Sequence, residues 1–122
     1  MYYPACRHLD VSQQDDVTFI EFTSVVPVDP HQLADIKVEL ARIAVDENRK
    51  AFVVDLSTQT YIDTGLLECL VKLWKKAREQ QKQFIVCSLN QVCREVIETA
   101  RFHKIWEIVS GREEALRALR RQ

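Results

Sequence analysis

Apolar and polar residues alternate along this chain with two different periods, and the switches between them mark its elements. From Cys6 to Gln13, apolar Leu9 and Val11 are interleaved with His8, Asp10 and Ser12, the period of two that a half-exposed strand requires. Gln13-Gln14-Asp15-Asp16 is a polar turn, and Val17 to Thr23 (VTFIEFT) is rich in the β-branched and aromatic residues of a second hairpin arm. Val25 to Pro30 contains Pro27 and Pro30, which bars it from a central strand because proline offers no N–H to a ladder. Asp29 or Pro30 then opens a helix, where the missing N–H does no harm.

Beyond Pro30 the period lengthens. Leu33, Ile36, Leu40, Ile43 and Ala44 recur every three or four residues between His31 and about Glu47, one apolar stripe on a helix. Ala51 to Leu56 (AFVVDL) is a short continuous apolar run, as expected of a strand covered on both faces. A second helix follows from Leu66 to about Lys82, with Leu66, Leu70, Leu73, Trp74 and Ala77 inward. Phe84 to Ser88 is another buried strand, and Asn90 caps a helix carrying Val92, Val96, Ile97 and Ala100 on one side. Ile105 to Val109 is a short strand, and Arg112 to Arg120 a last helix with Ala115, Leu116 and Leu119. The order β-β-α-β-α-β-α-β-α predicts an α/β fold with a single mixed, mostly parallel sheet. If successive strands are neighbours, right-handed crossovers put the helices mainly on one face.

Length and composition narrow the function. The 122 residues suit a single domain over 1–122, and 47% hydrophobic content is enough for a core without a metal or disulfide. Lys+Arg 17 against Asp+Glu 18 gives a net charge of -1, with no basic excess to hold a nucleic-acid backbone. Cys6, Cys69, Cys87 and Cys93 form no CxxC pair and no zinc-like cluster with His8, His31 or His103, so they read as free thiols in a reducing cytosol. Met1 to His8 lacks the apolar core of a signal peptide, and no apolar run approaches the ~18 residues of a membrane span. The expectation is a cytoplasmic protein with no cofactor, no metal and no membrane span. A glycine-rich Lys-Ser/Thr phosphate loop is absent too.

One segment could carry chemistry. Asp55-Leu56-Ser57-Thr58-Gln59-Thr60-Tyr61-Ile62-Asp63-Thr64-Gly65-Leu66 leaves the carboxyl end of a buried strand and enters a helix, where α/β proteins usually place their sites. Taken on the residues alone, Thr64 stands where a helix N-cap belongs, and Ser57 and Thr58 can satisfy loop backbone groups. Asp63-Thr64-Gly65 is also the triplet of aspartic proteases, but that chemistry needs an all-β frame with glycine-rich flaps, and this chain has strong helical stripes and only two glycines.

The segment resembles the signature of the STAS family (anti-sigma-factor antagonist-like proteins), in which a strand ending Asp-Leu-Ser leads into Asp-Ser-Ser-Gly-Leu or a variant. The likeness continues through the helix after Gly65, the Phe84–Ser88 strand, the helix from Gln91 to Glu98, and the Phe102 to Ile108 segment. It differs in one respect: the family usually has two residues between this Asp and Gly, one often a phosphorylated serine, and here Thr64 stands alone. The resemblance implies a non-enzymatic regulatory module with a protein partner. That partner is a serine/threonine-kinase anti-sigma factor that phosphorylates Thr64, or else a transporter (a lipid-transport ATPase, for example) or signalling scaffold that leaves Thr64 unmodified. Partner contacts are expected at Asp55, Ser57, Thr58, Asp63, Thr64 and Gly65. They are also expected on an apolar shoulder of the next helix, where Leu67 and Val71 flank Glu68. The basic run Lys72, Lys75, Lys76, Arg78 and Lys82 reads as a solvated face near a helix C-terminus.

Overall fold

The computed structural model describes residues 8–23, 29–45 and 50–120. Strand β1 (Leu9–Gln14) and strand β2 (Val17–Phe22) form an antiparallel hairpin in which Leu9 faces Phe22 and Gln14 faces Val17. The two residues between them, Asp15 and Asp16, both have positive φ (52° and 66°), the conformation that a two-residue hairpin loop demands. Helix α1 (Pro30–Ala44) is opened by Asp29, whose carboxylate accepts from the Gln32 N–H at 2.9 Å. Strand β3 (Ala51–Asp55), helix α2 (Thr64–Glu79), strand β4 (Gln83–Cys87), helix α3 (Gln91–Thr99), strand β5 (Glu107–Val109) and helix α4 (Arg112–Arg120) follow. The sheet order is β1-β2-β3-β4-β5, parallel from β2 onward.

Side-chain alternation divides the sheet into two faces. Ile20, Phe22, Phe52, Val54 and Val86 lie on one, packed against α1, α2 and α3. Val17, Phe19, Ala51, Val53, Ile85 and Cys87 lie on the other, covered by Ala115 and Ala118 of α4. Three crossover helices thus share a face because each joins neighbouring parallel strands in the right-handed sense. Helix α4 follows the last strand and has no further strand to reach, so it folds back onto the uncovered side.

Some expectations need correction. The inward residues of α3 are Cys93 and Ile97, with Val96 half-buried, whereas Val92 is 51% exposed and Ala100 faces outward. Asn90 fixes the phase of that helix, and Cys93 and Ile97, one turn apart, take the core side. In α2, Cys69 joins the buried stripe and Trp74 is only half-buried. The final strand begins at Glu107 rather than Ile105, because Phe102–Lys104 form a short 3-10 turn. That turn stacks Phe102 on buried Trp106 with ring centroids 4.4 Å apart and leaves Ile105 exposed. Cys6, Val25, Pro27 and Glu47 lie outside the described residues. Cys69, Cys87 and Cys93 are free and buried. Among the described residues, no helix is long and apolar enough to cross a membrane.

Candidate functional site

The carboxyl ends of the parallel strands carry a pinned loop, residues 56–63, between β3 and α2. It begins at Asp55, which is 6% exposed and accepts one hydrogen bond on each carboxylate oxygen. Its Oδ1 accepts from the Ser57 N–H at 2.9 Å, and its Oδ2 accepts from Arg112 Nε at 2.7 Å. Arg112, at the first turn of α4, also donates through Nη2 to Glu21 Oε2 at 3.3 Å and lies 5.1 Å over the Phe19 ring. The Ser57 hydroxyl donates to Glu21 Oε1 at 3.3 Å. Burial alone would raise the Asp55 pKa, but the bonds from Arg112 and Ser57 outweigh it and hold the carboxyl below its ordinary value.

Further along, the Thr58 hydroxyl donates to the Phe22 carbonyl at 2.9 Å and ties the loop to the end of β2. Gln59 is 2% exposed, and its side-chain amide donates to Thr58 Oγ1 at 3.1 Å. Asn90 does two jobs at once. Its Oδ1 caps α3 by accepting from the Cys93 N–H at 2.8 Å, while its Nδ2 donates to the carbonyls of Gln59 (3.2 Å) and Thr60 (3.1 Å). Leu56 and Ile62 are buried, so the loop is nailed down at both ends by apolar side chains.

The helix that follows is capped by Asp63, not by Thr64 as the spacing had suggested. Asp63 Oδ1 accepts from the Leu66 N–H at 2.8 Å, and its backbone is extended (φ -90°, ψ 176°). Thr64 is the first helical residue and is exposed, with its hydroxyl not engaged in the cap. Gly65 is explained by close approach: a Cβ there would come within 3.0 Å of a Leu33 methyl from α1. Its φ is not positive.

The predicted site residues therefore fall into three groups. Ser57, Thr58, Thr64 and Glu68 are exposed on one rim, with Asp63 and Gly65 half-buried between them. Leu67 and Val71 are half-buried and pack against the core, and Glu68 pairs with Lys37 of α1 at 3.5 Å. Asp55 lies beneath, occupied by Arg112. Sequence reasoning missed Glu21, Gln59, Asn90's second role and Arg112, which is 57 positions from Asp55 and 91 from Glu21. Tyr61, not among the expected contact residues, and Val92, expected on the apolar side of α3, are both exposed. Among the described residues, no group of three His, Cys, Asp or Glu side chains could hold a metal ion.

Comparison with known proteins agrees with this geometry. The pattern of the STAS domain matches residues 8–115. The candidate anti-sigma factor antagonist BtrV of Bordetella bronchiseptica is 31% identical over 85 residues, 70% of this chain and 72% of that protein. The structure of an anti-sigma-factor antagonist (STAS) domain protein from Planctomyces limnophilus superposes with a TM-score of 0.77 at 24% identity, over 90% of this chain and 96% of that one. An anti-sigma factor antagonist from Mycobacterium paratuberculosis gives a TM-score of 0.79 at 19% identity, over 98% and 99%. The five-stranded sheet, the loop pinned at the end of β3 and the match along nearly the whole chain lead to one assignment: the chain belongs to the STAS domain family, on its anti-sigma-factor-antagonist-like side.

Proposed function

We propose that this chain is a regulatory binding module that docks on a serine/threonine-kinase anti-sigma factor through the β3–α2 rim and is released by phosphorylation of Thr64. The observation that carries this reading is the division of labour between Asp63 and Thr64. Because Asp63 caps the helix, the Thr64 hydroxyl is left exposed at the first helical position, free to accept a phosphoryl group without unmaking the cap. The site also favours the product. The first helical bond runs from the Leu67 N–H to the Asp63 carbonyl, so the Thr64 and Gly65 amides point out of the helix start, where the helix dipole places partial positive charge.

A phosphate at that point adds about −1.5 to −2 charges. Glu68 is paired with Lys37, so Asp63 is the negative charge next to Thr64, and a phosphate added to it repels an acidic partner surface while the fold beneath is held by Asn90 and Arg112. The partner contacts on this reading are Ser57, Thr58, Asp63, Thr64, Gly65 and Glu68, with Leu67 and Val71 as the apolar shoulder and Asp55 as the buried support of the loop. The module binds and performs no chemistry of its own.

A second reading rests on the single residue between Asp63 and Gly65, one fewer than the family pattern: a constitutive STAS subunit of a transporter or scaffold, never phosphorylated. The two separate on one comparison. Partner affinity is measured for the wild type, Thr64→Ala and Thr64→Asp. The switch requires Thr64→Asp to bind at least tenfold more weakly than Thr64→Ala; equal affinities would eliminate it and leave the constitutive subunit.

A further inference from the structure

Away from the rim, the carboxyl-terminal halves of α1 and α2 leave an open groove of about 330 Å³ between them. Its floor is Leu40, Ala44, Cys69 and Leu73, and the small side chains at Ala41, Ala44 and Cys69 leave the space between the two helices unfilled. The end nearer the rim is bounded by the Lys37–Glu68 pair at 3.5 Å. At the other end Lys82 Nζ donates to the Ala44 carbonyl at 3.3 Å. Among the described residues, four lysines stand around the mouth, Lys37, Lys72, Lys75 and Lys76, with Glu79 beside them and Glu68 at the end nearer the rim. Lys76 pairs with Glu79 at 3.7 Å and Lys37 with Glu68, so among the described residues Lys72 and Lys75 supply the excess positive charge.

An apolar slot rimmed by cations selects an occupant with an apolar body and an anionic end. The volume is at the lower limit of small-molecule sites, about 300–1,000 Å³, and a protein partner would need a footprint of about 800 Å² on each side. The geometry points to a binding site for a single-chain carboxylate amphiphile, with the acyl chain against Leu40, Ala44, Cys69 and Leu73 and the carboxylate between Lys72 and Lys75. The lysine stems are suited to both parts, since their methylenes extend the apolar wall and their ammonium groups reach the head. This site is independent of the docking rim and of the phosphorylation reading.

The test is a titration of the full chain with sodium dodecanoate, kept below its micelle concentration, by calorimetry and by NMR shifts. Three other probes are run alongside: acetate, dodecyltrimethylammonium and phosphatidylglycerol vesicles. The site predicts saturable one-to-one binding of dodecanoate, with shifts centred on Leu40, Ala41, Ala44 and Leu73 and none comparable with acetate or the cationic amphiphile. The double variant Lys72→Glu/Lys75→Glu weakens binding about tenfold or more. Ala41→Leu, at an exposed helical position that tolerates leucine, fills the groove and weakens binding as strongly while melting like the wild type. Lack of saturable binding would mean that the lysine stems merely cover the gap and would overturn the inference. So would equal binding of the cationic amphiphile, binding to vesicles alone, or affinity unchanged in both variants.

Discussion

Replacing Arg112 with methionine removes the charge that holds Asp55 while keeping a long apolar stem over Phe19. Asp55 is then left 6% exposed, with its Oδ2 deprived of a 2.7 Å bond, and Glu21 loses its 3.3 Å partner. Removing one member of a fully buried ion pair costs about 3–5 kcal/mol. The Arg112 side chain is 39% exposed, so solvent screens part of the interaction, and the expected loss is about 1–3 kcal/mol at pH 7. For a domain of this length that corresponds to a fall in Tm of about 4–12 °C.

The pH dependence has a definite sign. The Asp55 pKa is depressed in the folded state, so its contribution is present above the unfolded value of about 4 and is lost as pH falls through the lower folded value. Thermal and urea melts of wild type and Arg112→Met are therefore compared from pH 7 down to pH 3, with Asp55→Asn and the double variant completing a cycle. The gap between wild type and Arg112→Met should narrow at the acid end, and the two changes should be strongly non-additive. A loss below about 0.5 kcal/mol at pH 7, the range of ordinary surface substitutions, would refute the reasoning. A gap that stayed constant down to pH 3 would refute it equally.

Other outcomes follow from the same contacts. Asp63→Ala should cost about 1 kcal/mol by losing the α2 cap, while Thr64→Ala should leave stability within about 0.5 kcal/mol; urea melts of the two variants decide which residue is the cap. Asn90→Ala should cost about 1–2 kcal/mol and should also raise amide exchange across residues 57–63, because one side chain caps α3 and holds two loop carbonyls. If exchange rises only within α3, the loop is not anchored there. Burial pushes the thiols of Cys69 and Cys87 up to about 11, so both should resist alkylation at pH 8 in the native state and react once urea unfolds the chain. Rapid native alkylation of either would contradict the buried placement.

The fold was legible because its signals are local. The period-two alternation of Leu9 and Val11, the uninterrupted AFVV and FIVC runs and the 3.6-residue stripe of α1 each need only a few consecutive positions. Neighbouring parallel strands then force the topology. Phase was harder to read in a short helix: over the nine residues of α3 a stripe through Val92 and Ala100 and one through Cys93 and Ile97 look alike until Asn90 sets the start. Asp63 and Thr64 posed a similar problem, since both residue types cap helices and only the 2.8 Å bond to Leu66 distinguishes them. The loop itself was visible as a polar segment after a buried strand. Its anchoring was not, because Arg112 and Glu21 meet Asp55 only after α4 folds across the back of the sheet, and no spacing in the chain records that meeting.

The central claim, a docking rim switched at Thr64, is tested most directly by purifying the tagged protein from its native cells and reading both partners and phosphosites by mass spectrometry. The account predicts a serine/threonine-kinase anti-sigma factor in the complex and phosphate on Thr64 in the fraction that is free of it. A transporter or scaffold partner with Thr64 unmodified in both fractions would contradict the switch.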